Sequence, residues 1–204
     1  SAIELNLSCP NLHPVRSKLP ETTATSLIRT SNGVKQGKNL FGQDAQTTYK
    51  IIIKVKEATS IPIIAKLTPQ VKDITEIALA CQKAGCNMLC LINTIPAMVI
   101  DLKSGKPFLG GITGGLSGPA IKPIALKMVY DVAGVTDIPI IGCGGIMNGK
   151  DAIEFVLAGA SAVAIGTSSL VSPDSVPLIV KEIEGYLIQH KINSIRELVG
   201  KLMY

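Results

Sequence analysis

The sequence predicts an α/β chain of about five βα units, an incomplete TIM (β/α)8 barrel supplying strands 4 to 8 of that fold. Three observations predict it. Five short runs are continuously apolar, as strands covered on both faces must be. Helical patterns separate them at intervals of roughly 25 to 50 residues, the rhythm of parallel strands joined by crossover helices. Each run also ends in a polar or glycine cluster: Ser8-Cys9, Lys66, Asn93-Thr94, Gly144-Gly145 and Gly166-Thr167. An open sheet gathers such groups at its switch point, whereas a barrel recruits nearly all its strand ends. Because the chain opens on a strand with no leading helix, about three preceding βα units are expected.

Residues 2–7 form the first strand, stopped by Pro10, which cannot continue inside a sheet. Residues 12–42 have no clean period and carry Pro14, Pro20 and Asn32-Gly33, so they read as a long loop: an active-site lid, a binding loop or disordered chain. Asp44 caps a helix over 45–58 whose apolar face is Tyr49, Ile52, Ile53 and Val55. Ile63 to Leu67 is the second strand. Asp73 to Ala84 is amphipathic and closes at Gly85. Asn87 to Ile92 is the third strand. Residues 95–112 read as a small hairpin insertion turning at Lys103-Ser104-Gly105-Lys106. A helix over 120–132 precedes a fourth strand at Ile138 to Ile141. Lys150 to Ala158 is helical, Ala162 to Ile165 is the fifth strand, and helices over 175–189 and 194–202 close the chain. All 204 residues are assigned to one partial barrel domain.

The composition narrows the class. An apolar content of 47% with 3% aromatics and no Trp implies an aliphatic core. The five cysteines have no zinc or iron–sulfur spacing, which points to a reducing compartment with mostly buried, inert thiols. No run is long enough to span a membrane and no signal peptide is visible, so a cytoplasmic protein is expected, with no metal of its own. The net charge of +5 is concentrated between Leu12 and Leu40, where Arg16, Lys18, Arg29, Lys35 and Lys38 face only Glu21. That loop either meets an anion or faces solvent. Without aromatic interleaving or a basic helix it does not suit nucleic acid.

The chemistry concentrates at the strand ends. Gly142-Cys143-Gly144-Gly145 and Gly166-Thr167 follow the last two strands, where a barrel places its phosphate site. They do not form the GxGxxG fingerprint of a dinucleotide fold. Lys66 is a lone charge ending an apolar strand. It lies over an electron-rich ring, beside a phosphate, or snorkels to solvent. Cys9, flanked by Asn6, Ser8 and Asn11 with no His near, is a nucleophile, a general base or a buried core thiol. Asn6, Asn11, Asn93 and Thr94 together offer donors and acceptors suited to a flat, amide-bearing ligand.

Several strings in order resemble the class 1 dihydroorotate dehydrogenases. They are Asn6-Leu7-Ser8-Cys9-Pro10-Asn11, Ile92-Asn93-Thr94, Ile112-Thr113-Gly114-Gly115-Leu116-Ser117-Gly118-Pro119, Ile141-Gly142-Cys143-Gly144-Gly145 and Ile165-Gly166-Thr167. The Ile-Thr-Gly-Gly-Leu-Ser-Gly-Pro form resembles the class 1B, NAD-linked catalytic subunit, of which this chain looks like the C-terminal two thirds. The resemblance implies an FMN-dependent barrel oxidising (S)-dihydroorotate to orotate in pyrimidine biosynthesis. It implies that Cys9 takes the C5 proton while the C6 hydride goes to flavin N5. It makes Asn6, Asn11, Asn93 and Thr94 substrate contacts. Lys66, Ser117, Gly118, Gly144, Gly145, Gly166 and Thr167 become flavin contacts. It also implies a homodimer of catalytic subunits and a partner subunit carrying FAD and an iron–sulfur cluster that uses NAD. Two alternatives are a barrel domain like that of dihydropyrimidine dehydrogenase, which shares the Asn-Leu-Ser-Cys-Pro stem, and a non-catalytic barrel fragment.

Overall fold

The computed structural model describes residues 2–7, 29–30, 33–34 and 41–203. Its centre is one five-stranded parallel sheet: β1 (Ile3–Asn6), β2 (Ile63–Leu67), β3 (Met88–Leu91), β4 (Ile140–Cys143) and β5 (Ala162–Ala164). Each strand pairs in parallel with the next in sequence, through Ile3–Ile63, Ile64–Met88, Leu89–Ile140 and Ile141–Ala162. Sequential order distinguishes a barrel wall from an open doubly wound sheet, whose order reverses. Parallel crossovers are right-handed, so an unbroken order places every crossover helix on one face. The fold is thus the expected α/β architecture, with five βα units in barrel order. Among the described residues, β1 and β5 each have a single strand neighbour in this sheet.

The helices form where the sequence supplies caps. α1 (Ala45–Ala58) starts at Asp44, whose carboxylate accepts from the Thr47 amide. α2 (Ile74–Lys83) starts at Asp73, which accepts from Thr75 in the same way. α3 (Lys122–Ala133) follows a 3-10 turn over Pro119–Ile121, because the fixed φ of Pro119 opens a turn and Pro123 sits in the first helical turn. α4 (Gly149–Leu157) is capped by Asn148, which accepts from the Asp151 amide. α5 (Thr167–Val171) is a single short turn of helix that the sequence pattern did not suggest, and α6 (Ser175–Gln189) has the expected bounds. The expected final helix over 194–202 is only a 3-10 turn, Ile195–Leu198, held by a capping box between Ser194 and Glu197. The fourth strand begins at Ile140 rather than Ile138, because Pro139 lacks the N–H a ladder needs.

The core lies between sheet and helices. Ile63, Ala65 and Leu67 of β2 and Leu89 and Leu91 of β3 point at Ile52, Ile77, Ala78, Val129 and Phe155, all buried. The opposite, concave face carries Glu4, Asn6, Ile64, Lys66 and Met88, which are half-buried or exposed. Gly142 marks a close approach of α4 to the sheet: a Cβ there would lie 2.6 Å from Phe155 Cδ1. Of the long loop, Arg29–Thr30 pairs antiparallel with Gly33–Val34. Two antiparallel ribbons follow β3: Ile95–Ala97 with Gly114–Leu116, and Ile100–Asp101 with Lys106–Pro107.

Phe155 is fully buried beneath the sheet. Phe155→Ala is expected to lower unfolding stability by about 3–5 kcal/mol, the usual cost of a core aromatic truncation, read from the midpoint of urea unfolding.

Candidate active site at the strand C-termini

Because all five strands run the same way, their C-terminal ends share one rim of the sheet. β1 brings Asn6 there and β3 is followed by Asn93 and Thr94. The Asn93 side-chain amide donates to the Asn6 side-chain oxygen at 3.0 Å, although 87 residues separate them in sequence. The Thr94 amide donates to Asn93 Oδ1 at 2.8 Å, which fixes which end of the Asn93 amide faces Asn6. Cys9 and Asn11, the other residues expected here, lie outside the described residues, as does Ser8.

The second half of the rim is made of turns. Ser117 and Thr167, 50 residues apart, are joined by a 2.8 Å hydrogen bond from Thr167 Oγ1 to Ser117 Oγ. Gly118 and Gly145 adopt φ of +83° and +78°, a region costly to residues with a Cβ. A Cβ on Gly145 would also lie 2.6 Å from the Gly118 carbonyl oxygen, so the turn after β4 lies directly on the turn before α3. A Cβ on Gly166 would meet no atom within 4 Å, which leaves the space beside it open. Ser117, Gly118, Gly144, Gly145, Gly166 and Thr167 therefore converge on one end of the rim. Their backbone amides and hydroxyls, in an open notch, fit the donor set that a phosphate requires.

Lys66 is half-buried on the face of β2 that points away from the helices, between β1 and β3. Among the described residues its hydrogen-bond partner is sulfur. Lys66 Nζ donates to Cys90 Sγ at 3.2 Å. Cys143, from β4, completes the group. The hydrogen bond from Cys90 is the largest influence on Cys143; burial opposes it, Lys66 adds to it, and the thiol is brought down to about 6. The same hydrogen bond, followed by burial, pushes the Cys90 thiol far above its ordinary range. Burial is the largest influence on Lys66 and disfavours its charge, but Cys143, Cys90 and Glu4 together outweigh it and raise its pKa. Lys66 is thus held as an ammonium beside a thiolate. Cys143 stands apart from the other described cysteines in its lowered pKa; Cys81 and Cys86 are buried with raised pKa values, as inert thiols should be. The cluster escaped sequence reasoning because its members lie on three strands. Its one signal was that Cys90 and Cys143 sit, like Lys66, in otherwise aliphatic strands.

No group of three or more potential metal ligands occurs among the described residues. None of their helices is long and apolar enough to cross a membrane.

A parallel wall in barrel order, with amide side chains and a lysine towards one end of its rim and glycine turns and hydroxyls towards the other, defines a partial α/β-barrel protein whose polar groups gather over the strand ends. The sequence profile of dihydroorotate dehydrogenase matches residues 1–187. Similar proteins include the catalytic subunit of dihydroorotate dehydrogenase B (NAD(+)) of Caldicellulosiruptor saccharolyticus, 48% identical over 98% of this chain and 59% of that protein. The corresponding subunit of Citrifermentans bemidjiense is 46% identical over 99% and 59%, and that of Geobacter metallireducens 47% over 91% and 61%. This chain belongs to the dihydroorotate dehydrogenase family, and it spans about 59% of the length of the first two relatives.

The Cys143 thiolate has a direct readout. Alkylation of Cys143 by iodoacetamide, followed by peptide mass spectrometry, is expected to rise with pH through a midpoint near 6. Cys81 should stay unlabelled across the same range. Lys66→Met is expected to move the Cys143 midpoint upward, towards the ordinary thiol value of about 8.5.

Proposed function

We propose that this chain is the larger part of an FMN-dependent catalytic subunit that oxidises (S)-dihydroorotate to orotate. The observation that carries the reading is the Asn6–Asn93 pair at one end of the rim, with the Ser117–Thr167 pair at the other. Similarity to the NAD-linked B-type catalytic subunits supports the same assignment.

In this reading Asn6, Asn11, Asn93 and Thr94 hold the pyrimidine ring through its amide edges. The Asn93–Asn6 and Thr94–Asn93 hydrogen bonds pre-set their orientation before substrate arrives, which limits the entropy lost on binding. Cys9 acts as general base and takes the C5 proton of dihydroorotate. Ser117, Gly118, Gly144, Gly145, Gly166 and Thr167 hold the ribityl phosphate, and the Lys66 ammonium faces the electron-rich ring. When bound, FMN supplies the acceptor for the C6 hydride. A second subunit carrying FAD and an iron–sulfur cluster would pass the electrons to NAD; the relatives' designation as NAD(+)-type catalytic subunits supports such a partner.

A homodimer is part of the proposal. The ribbons after β3 expose large apolar side chains, with Leu102 93%, Phe108 71% and Ile112 71% accessible. A patch of this kind on a soluble chain suits burial against a second copy.

Titration with FMN, followed by quenching of flavin fluorescence, tests the assignment directly: saturable binding is expected, and none would remove the flavin reading for this chain. Cys9→Ser is expected to slow reduction of bound flavin by dihydroorotate at least about tenfold in stopped-flow absorbance, within the range for loss of a general base. The double change Leu102→Glu with Phe108→Glu is expected to turn a dimer into a monomer in analytical ultracentrifugation.

A further inference from the structure

Lys122, the first residue of α3, reaches across to α4. Its Nζ donates to Asp151 Oδ1 at 2.6 Å and to Glu154 Oε2 at 2.8 Å. Asp151 uses its second oxygen on the turn after β4: Oδ2 accepts the Met147 amide at 2.9 Å. The Asp151 amide in turn donates to Asn148 Oδ1 at 2.9 Å. The other side of Lys122 lies against the same turn, where a Gly145 Cβ would stand 2.8 Å from Lys122 Cβ and 2.9 Å from its amide nitrogen. The pair is shielded from solvent, with 26% of the Lys122 and 11% of the Asp151 side chain accessible. One lysine and one carboxylate thus tie the N-termini of two helices to both ends of the segment 145–147.

We propose that the Lys122–Asp151 pair is a positioning brace that fixes the Gly144–Gly145 turn as the flavin-phosphate cradle, without touching the flavin. This rests on the flavin reading above. The alternative is simple electrostatics, and the two differ in sign. Asp151 places a negative charge close to the turn, so by charge alone Asp151→Asn should strengthen binding of an anionic phosphate. As a brace, Asp151 needs two oxygens, one for Lys122 and one for the Met147 amide. Asn offers a single oxygen, so one contact is lost and the turn loosens.

The test compares FMN with riboflavin, which lacks the phosphate, by fluorescence quenching of the same protein. Asp151→Asn is expected to weaken FMN about tenfold, the size of one charge-assisted hydrogen bond, and riboflavin less than twofold. Lys122→Met should do the same, and Lys122→Arg, which can still bridge both carboxylates, should keep the wild-type ratio of FMN to riboflavin affinity. Tighter or unchanged FMN binding by Asp151→Asn overturns the brace in favour of charge. Equal losses for both flavins in Asp151→Asn and Lys122→Met overturn it in favour of a general structural role. If Asp151→Asn fails to fold, Asp151→Glu decides, because it keeps the charge but displaces both oxygens: FMN weakened more than riboflavin supports the brace, and unchanged FMN binding overturns it in favour of charge. Wild-type protein that binds neither flavin removes the flavin reading itself and the proposal with it.

Discussion

The side-to-side register of the five parallel strands decides where every chemical group falls. Side chains alternate across a sheet, so a slip of one residue would exchange its faces. The pairings Leu5–Ala65, Ala65–Leu89 and Leu89–Ile140 put four apolar side chains in one row towards the helices. The neighbouring row, Asn6, Lys66, Cys90 and Ile141, is thereby forced onto the concave side. The same register aligns the strand ends, so that residues from distant parts of the sequence meet on one rim. The Asn6–Asn93 and Ser117–Thr167 hydrogen bonds are products of that alignment.

Charge in this wall is handled by local pairing. Lys66, seated among aliphatic side chains, keeps its ammonium because Cys143 beside it gives up part of its proton affinity and Cys90 accepts its hydrogen bond. Lys122 keeps its charge for a different reason: two carboxylates hydrogen-bond it directly, and its pKa is raised by Asp151 first and Glu154 second. Both arrangements avoid an isolated charge in a poorly solvated place, which would cost several kcal/mol. They differ in kind. The Lys66 ammonium is balanced by soft, polarisable sulfur, and the Lys122 ammonium by two carboxylates on one helix.

Much of this was legible in the sequence, because the signals involved are local. Asp44 and Asp73 announced two helix starts, and the apolar run Ile63–Leu67 gave a strand with no error in bounds. The strand-end motifs also located the rim. What could not be read depends on contacts between segments. The closing residues 194–202 have a helical apolar spacing, yet Gly200 takes φ of +69° and donates to the Val156 carbonyl, so the chain turns back onto α4 instead. The Lys66–Cys90–Cys143 group needs three strands in register before any two members meet. Lys122 and Asp151 carried a faint signal, since a lysine opening a helix is unfavourably placed unless a carboxylate answers it.

The unbroken strand order also has a consequence for how copies of this wall would associate. The outer edges of β1 and β5 are different surfaces with the same chain direction, so each presents backbone groups complementary to the other. Pairing the β5 edge of one molecule with the β1 edge of the next is heterologous, and such contacts either curve into a ring or run on as an open filament. Covering either of these edges of the described sheet would therefore also terminate such polymerisation.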